Sequence, residues 1–336
     1  MRFGLVGYGF GGRYFHAPLL MSAPGIDFAG VVTRSVDRRA ELETDHPGVA
    51  AYDSLPALAA DGVRAVAIST PADTHIPLAL EAIGLGMAVV VDKPFAMDAA
   101  QARTAIDAAE RAGVALSVYQ NRRWDSDLLT VRRLIESGAL GEVSRFESRF
   151  ERFSPDPGPP AAGGGTLRDF GAHLVDQALL LFGPADHVYA RMAARHRLDD
   201  DFFVTIAHTG GVQSHLWGSW VQGAPGPRFR VTGTTGTYIV DGVDGQEAAL
   251  VAGRTPATEG ERWGAEPESR WGRLHRGGPG EPVPTERGRW DTYYPAFAAA
   301  VRGDAAVPVD PRDVVRATEV LDAARVSAAT GTTISL

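Results

Sequence analysis

Apolar residues fall in short runs through the first 120 positions, at 3–6, 28–32, 65–68, 88–91 and 114–118. Between them lie Ala- and Leu-rich stretches of helical character, such as 77–85 and 99–112. Runs of four or five apolar residues separated by helices predict parallel strands buried on both faces. With right-handed crossovers, the architecture is a doubly wound α/β sheet.

The texture changes after Tyr119. A polar stretch, QNRRWDSD, leads into a helix over 128–135, and a strand follows over 143–153. In that strand Arg145, Glu147, Arg149 and Glu151 alternate with mostly apolar residues, so one sheet face is wet. Further strands are predicted at 186–194, 202–208, 212–221, 228–232 and 237–240, with helices at 290–301 and 313–329. Successive strands with short turns predict a mostly antiparallel sheet in an α+β unit. Residues 154–165 and 251–289, rich in Gly and Pro or in Gly, Pro, Arg and Glu, read as loops, the second as a long surface excursion.

A length of 336 residues fits two domains. The change of pattern divides them into a doubly wound domain over 1–121 and an α+β domain over 122–336, whose last helix is expected to pack back on the first. Cysteine is absent, which excludes disulfides, thiolate metal sites and a cysteine nucleophile. No set of His and carboxylates has convincing ligand spacing, so no metal is expected. The 33 basic and 41 acidic residues give a net charge of −8, without long runs of one sign. That balance argues against nucleic acid or an anionic membrane as partner. No apolar run approaches a membrane span, and the N-terminus has no signal-peptide pattern, so the expected location is the cytoplasm.

Of the 33 basic residues, 32 are Arg and one is Lys, at position 93. A guanidinium stays protonated and presents a wide fork, whereas an ammonium is compact and tunable. Lys93 is therefore a candidate for chemistry that Arg cannot perform.

After the first strand comes Gly7-Tyr8-Gly9-Phe10-Gly11-Gly12, a G-x-G-x-x-G turn that opens a helix. Its glycines serve the tight turn, the approach of a pyrophosphate and close helix packing, and the helix N-terminus offers N–H groups to the anion. An NAD site places a carboxylate about 20 residues further on. Here that position reads Thr33-Arg34-Ser35, able to bind a phosphate, and NADP(H) is favoured over NAD(H). An Arg34 that only stacked on adenine would leave the choice open.

Two further strands end in Ser69-Thr70-Pro71-Ala72-Asp73-Thr74-His75 and Asp92-Lys93-Pro94. These carboxyl ends form the rim where doubly wound sheets bind ligands, which places the only Lys there. His75 is either a loop histidine or a cofactor contact. In the second half, Asp169 and His173 lie four apart on a helix expected to begin near 169 or 170. They read either as a proton-transfer pair or as an N-cap with a surface histidine.

GYGFGG, STPADTH, DKP and GGGTLRDFGAHLVDQ together resemble the glucose–fructose oxidoreductase / inositol dehydrogenase / rhizopine-catabolism (Gfo/Idh/MocA) family over essentially the whole chain. VYQNRRWDSDLLTVRRLI and LRDFGAHLVDQALLLFG look most like its NADP-dependent scyllo-inositol dehydrogenase subgroup. The resemblance implies a Rossmann domain, a C-terminal domain on a large sheet, and a homodimer or larger homo-oligomer. It maps the family's catalytic Lys to Lys93, with Asp92 where the family has Glu, and the catalytic Asp and His to Asp169 and His173. Asn121, Arg122 and Trp124 become contacts for cofactor or substrate.

The expected activity is NADP(H)-dependent interconversion of a secondary alcohol and a ketone on a cyclic polyol or sugar. Relatives that cleave glycosides or reduce imines, and a sensor without turnover, are the alternatives. A proton-transfer set at Lys93, Asp169 and His173 argues against the sensor.

Overall fold

The structure, a computed structural model, describes residues 1–156, 158–159, 164–195 and 197–336. The chain divides into two compact units. Unit 1 comprises Met1–Asn121, Gln246–Trp263 and Arg289–Val315; unit 2 comprises Arg122–Gly245, Gly264–Gly288 and Arg316–Leu336. The first unit thus takes in two later stretches that the sequence pattern groups with the second half.

Unit 1 is built on six parallel strands: β1 (Arg2–Val6), β2 (Asp27–Val32), β3 (Ala50–Tyr52), β4 (Ala65–Ile68), β5 (Ala88–Asp92) and β6 (Leu116–Tyr119). Their order is β3-β2-β1-β4-β5-β6, the doubly wound arrangement with its topological switch between β1 and β4. The apolar runs of β1, β4 and β5 are almost wholly buried, as expected where helices cover both faces. The crossovers carry α1 (Ala17–Ser22), α2 (Val36–Asp45), α3 (Leu55–Ala60), α4 (His75–Gly84) and α5 (Ala99–Ala112). The helix after the Gly-rich turn does not start as a regular α-helix: residues Gly11–His16 form a π-helical turn that runs into α1. β3 has no apolar run to announce it.

Unit 2 begins with α6 (Ser126–Glu136), followed by β7 (Val143–Glu151) and α7 (Thr166–Phe182). Its nine-stranded sheet also contains β8 (Ala185–Ala193), β9 (Asp201–His208), β10 (Gln213–Ser219), β11 (Phe229–Gly233), β12 (Thr237–Val240), β13 (Arg273–His275), β14 (Glu281–Pro282) and β15 (Ile334–Ser335). The order is β14-β13-β12-β11-β7-β10-β9-β8-β15, antiparallel except for β7 with β10. One face is apolar: Phe146 and Phe150 of β7, Phe202, Val204 and Ile206 of β9, and Leu216 of β10 form a single core with Leu167, Leu174 and Val175 of α7.

The remaining helices are α8 (Gln246–Val251), α9 (Pro256–Glu259), α10 (Tyr293–Val301) and α11 (Pro311–Thr330). The stretch 251–289 is therefore not one long excursion. It contains α9 and the strands β13 and β14, which extend the sheet from β12. Charged and proline residues at this sheet edge hide a strand pattern that only pairing reveals. Of the loop expected over 154–165, positions 157 and 160–163 lie outside the described residues, and with them the first glycine of GGGTLRDFGAHLVDQ.

The start of α7 also differs from expectation. It begins at Thr166, and its cap comes from far along the chain. The Leu167 N–H donates to the Asp199 carboxylate at 2.6 Å, and the Thr166 hydroxyl donates to the Asp199 carbonyl at 2.6 Å. Gly165 makes room for this: its φ is 105°, and a Cβ there would sit 2.0 Å from an Asp199 oxygen. A cap supplied by a residue 32 positions away has no local signature.

Candidate functional site

The Gly-rich turn lies at the carboxyl end of β1. Gly7 has φ 94°, and a Cβ would meet the Ser69 carbonyl at 2.3 Å; at Gly12 it would meet the Gly7 carbonyl at 2.3 Å. Gly9 is different, because the space within 4 Å of its Cβ position is open. Two glycines thus fold the turn tightly while the middle one leaves a clear surface, the form a pyrophosphate cradle requires. Tyr8 is buried and its hydroxyl donates to Asp45 at 3.0 Å, whereas Phe10 is exposed. These residues fit a dinucleotide.

At the end of β2, Arg34 is exposed, and its Nε donates to the Asp53 carbonyl at 3.1 Å. Thr33 accepts through its carbonyl from Arg39 at 2.9 and 3.1 Å, and Ser35 caps α2 by accepting from the Arg38 N–H at 3.3 Å. Arg39 also reaches the Asp53 carboxylate at 2.6 Å. A second guanidinium therefore stands beside Arg34, with a carboxylate as its counter-charge. The sequence reading misses Arg39 because it is inside α2, one turn beyond the phosphate-reading position.

The rim at β4 and β5 is tightly cross-braced. Ser69 donates to Asp92 Oδ2 at 2.9 Å, and the Lys93 N–H donates to Asp92 Oδ1 at 2.7 Å. His16 Nε2 meets Asp92 Oδ2 at 3.1 Å. Burial opposes ionisation of Asp92, but the neighbouring His16, Lys93 and His75 hold its carboxyl down at about 2. Thr70 and Thr74 share a hydroxyl hydrogen bond of 2.7 Å, and Pro71 leads into the turn before α4. His75 is buried, with Nδ1 2.8 Å from the Pro94 carbonyl and Nε2 2.8 Å from the Thr70 carbonyl. Its ring braces the two loops and is not an exposed loop histidine. Asn121, at the end of unit 1, is buried.

In unit 2 the candidates gather around Phe150. The His173 ring stacks on it at 6.4 Å between centroids and 21° between planes, and the Arg122 guanidinium lies 4.7 Å over its centroid. His173 is only 4% exposed, so it is not a surface histidine. Asp169 lies in the first turn of α7, one helical turn before His173; it is not the N-cap, which is Gly165, and the capping carboxylate comes from Asp199. Trp124 is half-buried in the turn before α6.

Two further residues of α7 tie that turn down. Asp176 holds Arg123 in a two-point ion pair, and Gln177 donates to the Arg122 carbonyl at 2.9 Å. Gln177 in turn accepts from Arg228 at 2.9 Å; this buried guanidinium also donates to Ser148 and faces Asp127 at 3.3 Å. Burial pushes the Asp125 carboxyl well above the ordinary range, although Arg122 lies 3.2 Å away. Gln177 and Arg228 carry no sequence signal as anchors, since both belong to patterns that read as ordinary helix and strand.

A parallel 3-2-1-4-5-6 sheet with a glycine cradle, and a second unit on a broad open sheet, define a dinucleotide-binding oxidoreductase. Residues 1–120 match the oxidoreductase family with an NAD-binding Rossmann fold, and residues 128–239 match the GFO/IDH/MocA C-terminal domain. The chain belongs to the Gfo/Idh/MocA family of oxidoreductases. It is 34% identical to the scyllo-inositol 2-dehydrogenase (NADP(+)) IolW of Bacillus subtilis, covering 100% of this chain and 96% of the relative. It is 36% identical to the uncharacterized oxidoreductase YdgJ of Escherichia coli, over 96% and 94% of the two chains. A solved oxidoreductase structure from Bacillus cereus superposes with a TM-score of 0.90 at 26% identity, covering 100% of this chain and 98% of that one. Among the described residues, no helix is long and apolar enough to cross a membrane.

Proposed function

We propose that this oxidoreductase uses NADP(H) to interconvert a secondary alcohol and a ketone on a cyclic polyol or sugar, with an inositol as the first substrate to test. The observation that carries the reading is the only lysine of the chain at the carboxyl end of β5, in the same rim as the glycine cradle. The relative named for NADP(+)-dependent scyllo-inositol oxidation supports the substrate class and the cofactor.

Residues 7–12 would hold the pyrophosphate, Thr33, Arg34 and Ser35 the adenosine phosphate, and Ser69, Thr70, Pro71, Lys93, Pro94 and Asn121 would lie along the rest of the cofactor, with His75 bracing the loops. When bound, the nicotinamide supplies the acceptor or donor of hydride. The Lys93 ammonium hydrogen-bonds the reacting oxygen and stabilises the negative charge that grows on it. In the oxidising direction His173 accepts the hydroxyl proton, oriented by Asp169, and Arg122 and Trp124 contact the substrate. In this reading the protein works as a small-molecule enzyme and assembles as a homo-oligomer.

The test is a fluorescence titration with NADPH and NADH in parallel, followed by turnover on scyllo-inositol, other inositols, inososes and ketoses. Tighter NADPH binding and turnover on a panel member are expected, with Lys93→Met and His173→Ala each losing at least about 100-fold in kcat and His173→Ala keeping NADPH affinity. Full turnover in both variants would overturn the assignment. Tight binding without turnover would move the protein to a sensing role.

A further inference from the structure

Lys93 is held at both neighbouring residues by buried imidazoles. His75 braces the Pro94 carbonyl on one side, and His16 reaches the Asp92 carboxylate on the other. His16 is fully buried in the π-helical turn, and its second nitrogen, Nδ1, contacts the hydroxyl of Tyr294 in α10. A carboxylate only accepts, so Nε2 of His16 must carry the proton toward Asp92. Burial pushes the Tyr294 phenol well above its ordinary range, so that hydroxyl keeps its proton and can donate to Nδ1. The result is a hydrogen-bonded chain in which the Tyr294 hydroxyl meets His16 Nδ1, His16 Nε2–H donates to Asp92, and Asp92 accepts from the Lys93 backbone. Gly11 permits the approach: a Cβ there would lie 2.7 Å from the Ser69 hydroxyl and 3.1 Å from Asp92 Oδ2.

We infer that His16, held in place by Tyr294, is a positioning residue that fixes Asp92 and through it the placement of Lys93. The inference rests on the reading of Lys93 given above. Asp92 spends both oxygens on this clamp, one on the Lys93 N–H and the other on Ser69 and His16. A carboxylate held at three points fixes the end of β5, and the ammonium that follows inherits its direction. Tyr119 also packs against the imidazole, at 4.3 Å between ring centroids, so His16 moves only if its neighbours repack.

Because Lys93 is the only lysine, protein labelled with 13C at lysine Cε reports on it directly through one side-chain signal. The variants are His16→Leu, which keeps bulk without a donor; His16→Gln, whose amide N–H restores the donor; and Tyr294→Phe, which keeps the ring and its packing. Lys93→Met is the control for the underlying reading. The wild type and His16→Gln are expected to share one narrow signal, which moves and broadens in His16→Leu and Tyr294→Phe. With scyllo-inositol and NADP(+), His16→Leu loses about 100-fold in kcat at unchanged NADPH affinity, and His16→Gln recovers most of it. An identical Lys93 signal in all three variants overturns the role of His16, whatever the turnover. Undiminished turnover in Lys93→Met instead removes the reading of Lys93, and the proposal falls with it.

Discussion

Arg123 and Asp176 form a bidentate ion pair, with Nε 2.8 Å from Oδ2 and Nη2 2.7 Å from Oδ1, and their side chains are only 10% and 2% exposed. The pair fastens the turn that carries Arg122 and Trp124 to the helix that carries Asp169 and His173. Breaking one side of a buried pair leaves an uncompensated charge, which costs about 3–5 kcal/mol. Asp176→Asn is expected to lower the denaturant midpoint by a corresponding amount. A midpoint unchanged from wild type would show that the pair is dispensable.

Arg34 and Arg39 both lean on Asp53, whose side chain is 82% exposed. An adenosine phosphate would meet one guanidinium already partly neutralised by that carboxylate. Asp53→Asn is expected to tighten NADPH several-fold with little effect on NADH, and Arg34→Ala to weaken NADPH about 10-fold or more. Parallel fluorescence titrations decide it, and equal shifts for both cofactors would contradict the phosphate-reading role.

The low position of the Asp92 carboxyl ties stability to acidity. Its folded-state value, about 2, lies below the ordinary 3.8, so its contribution is present above the ordinary value and lost as pH falls toward 2. At neutral pH it is worth about 2 kcal/mol, with roughly half left at pH 3. The stability gap between wild type and Asp92→Asn in denaturant melts should therefore narrow by about 1 kcal/mol between pH 6 and pH 3. A constant gap over that range would mean that the carboxylate charge is not what stabilises the rim.

Gly165 should tolerate no side chain. Gly165→Ala would drive a methyl into the Asp199 carboxylate and strain a backbone with positive φ. The expected outcome is loss of the cap on α7, costing about 1–3 kcal/mol, and a lower kcat through misplacement of Asp169 and His173. Far-UV circular dichroism melts and steady-state kinetics on the variant check both effects.

The first unit was legible because buried parallel strands leave unbroken apolar runs, and Lys93 was legible because it is the only residue of its kind. β3, with the sequence Ala-Ala-Tyr, carries too little apolar weight to announce itself. The start of α7 was misplaced because Asp199 caps it from a distant loop. The contact of His16 with Tyr294 spans 278 residues, and no local pattern reports an encounter of that range. In general, what the sequence hides here are the second partners, Arg39, Gln177, Arg228 and Tyr294, whose value comes from position and not from residue type.

The central place of β7 in the large sheet has a consequence during synthesis. β7 sits at the centre of that sheet, yet its neighbours β10 and β11 begin about 60 and about 80 residues after it ends. At about 5–20 residues per second, the strand leaves the ribosome several seconds before either partner exists. During that interval both of its edges are open to other nascent chains. Over this window its Arg145, Glu147, Arg149 and Glu151 keep one face of the strand charged and hydrated, until β10 and β11 arrive to enclose it.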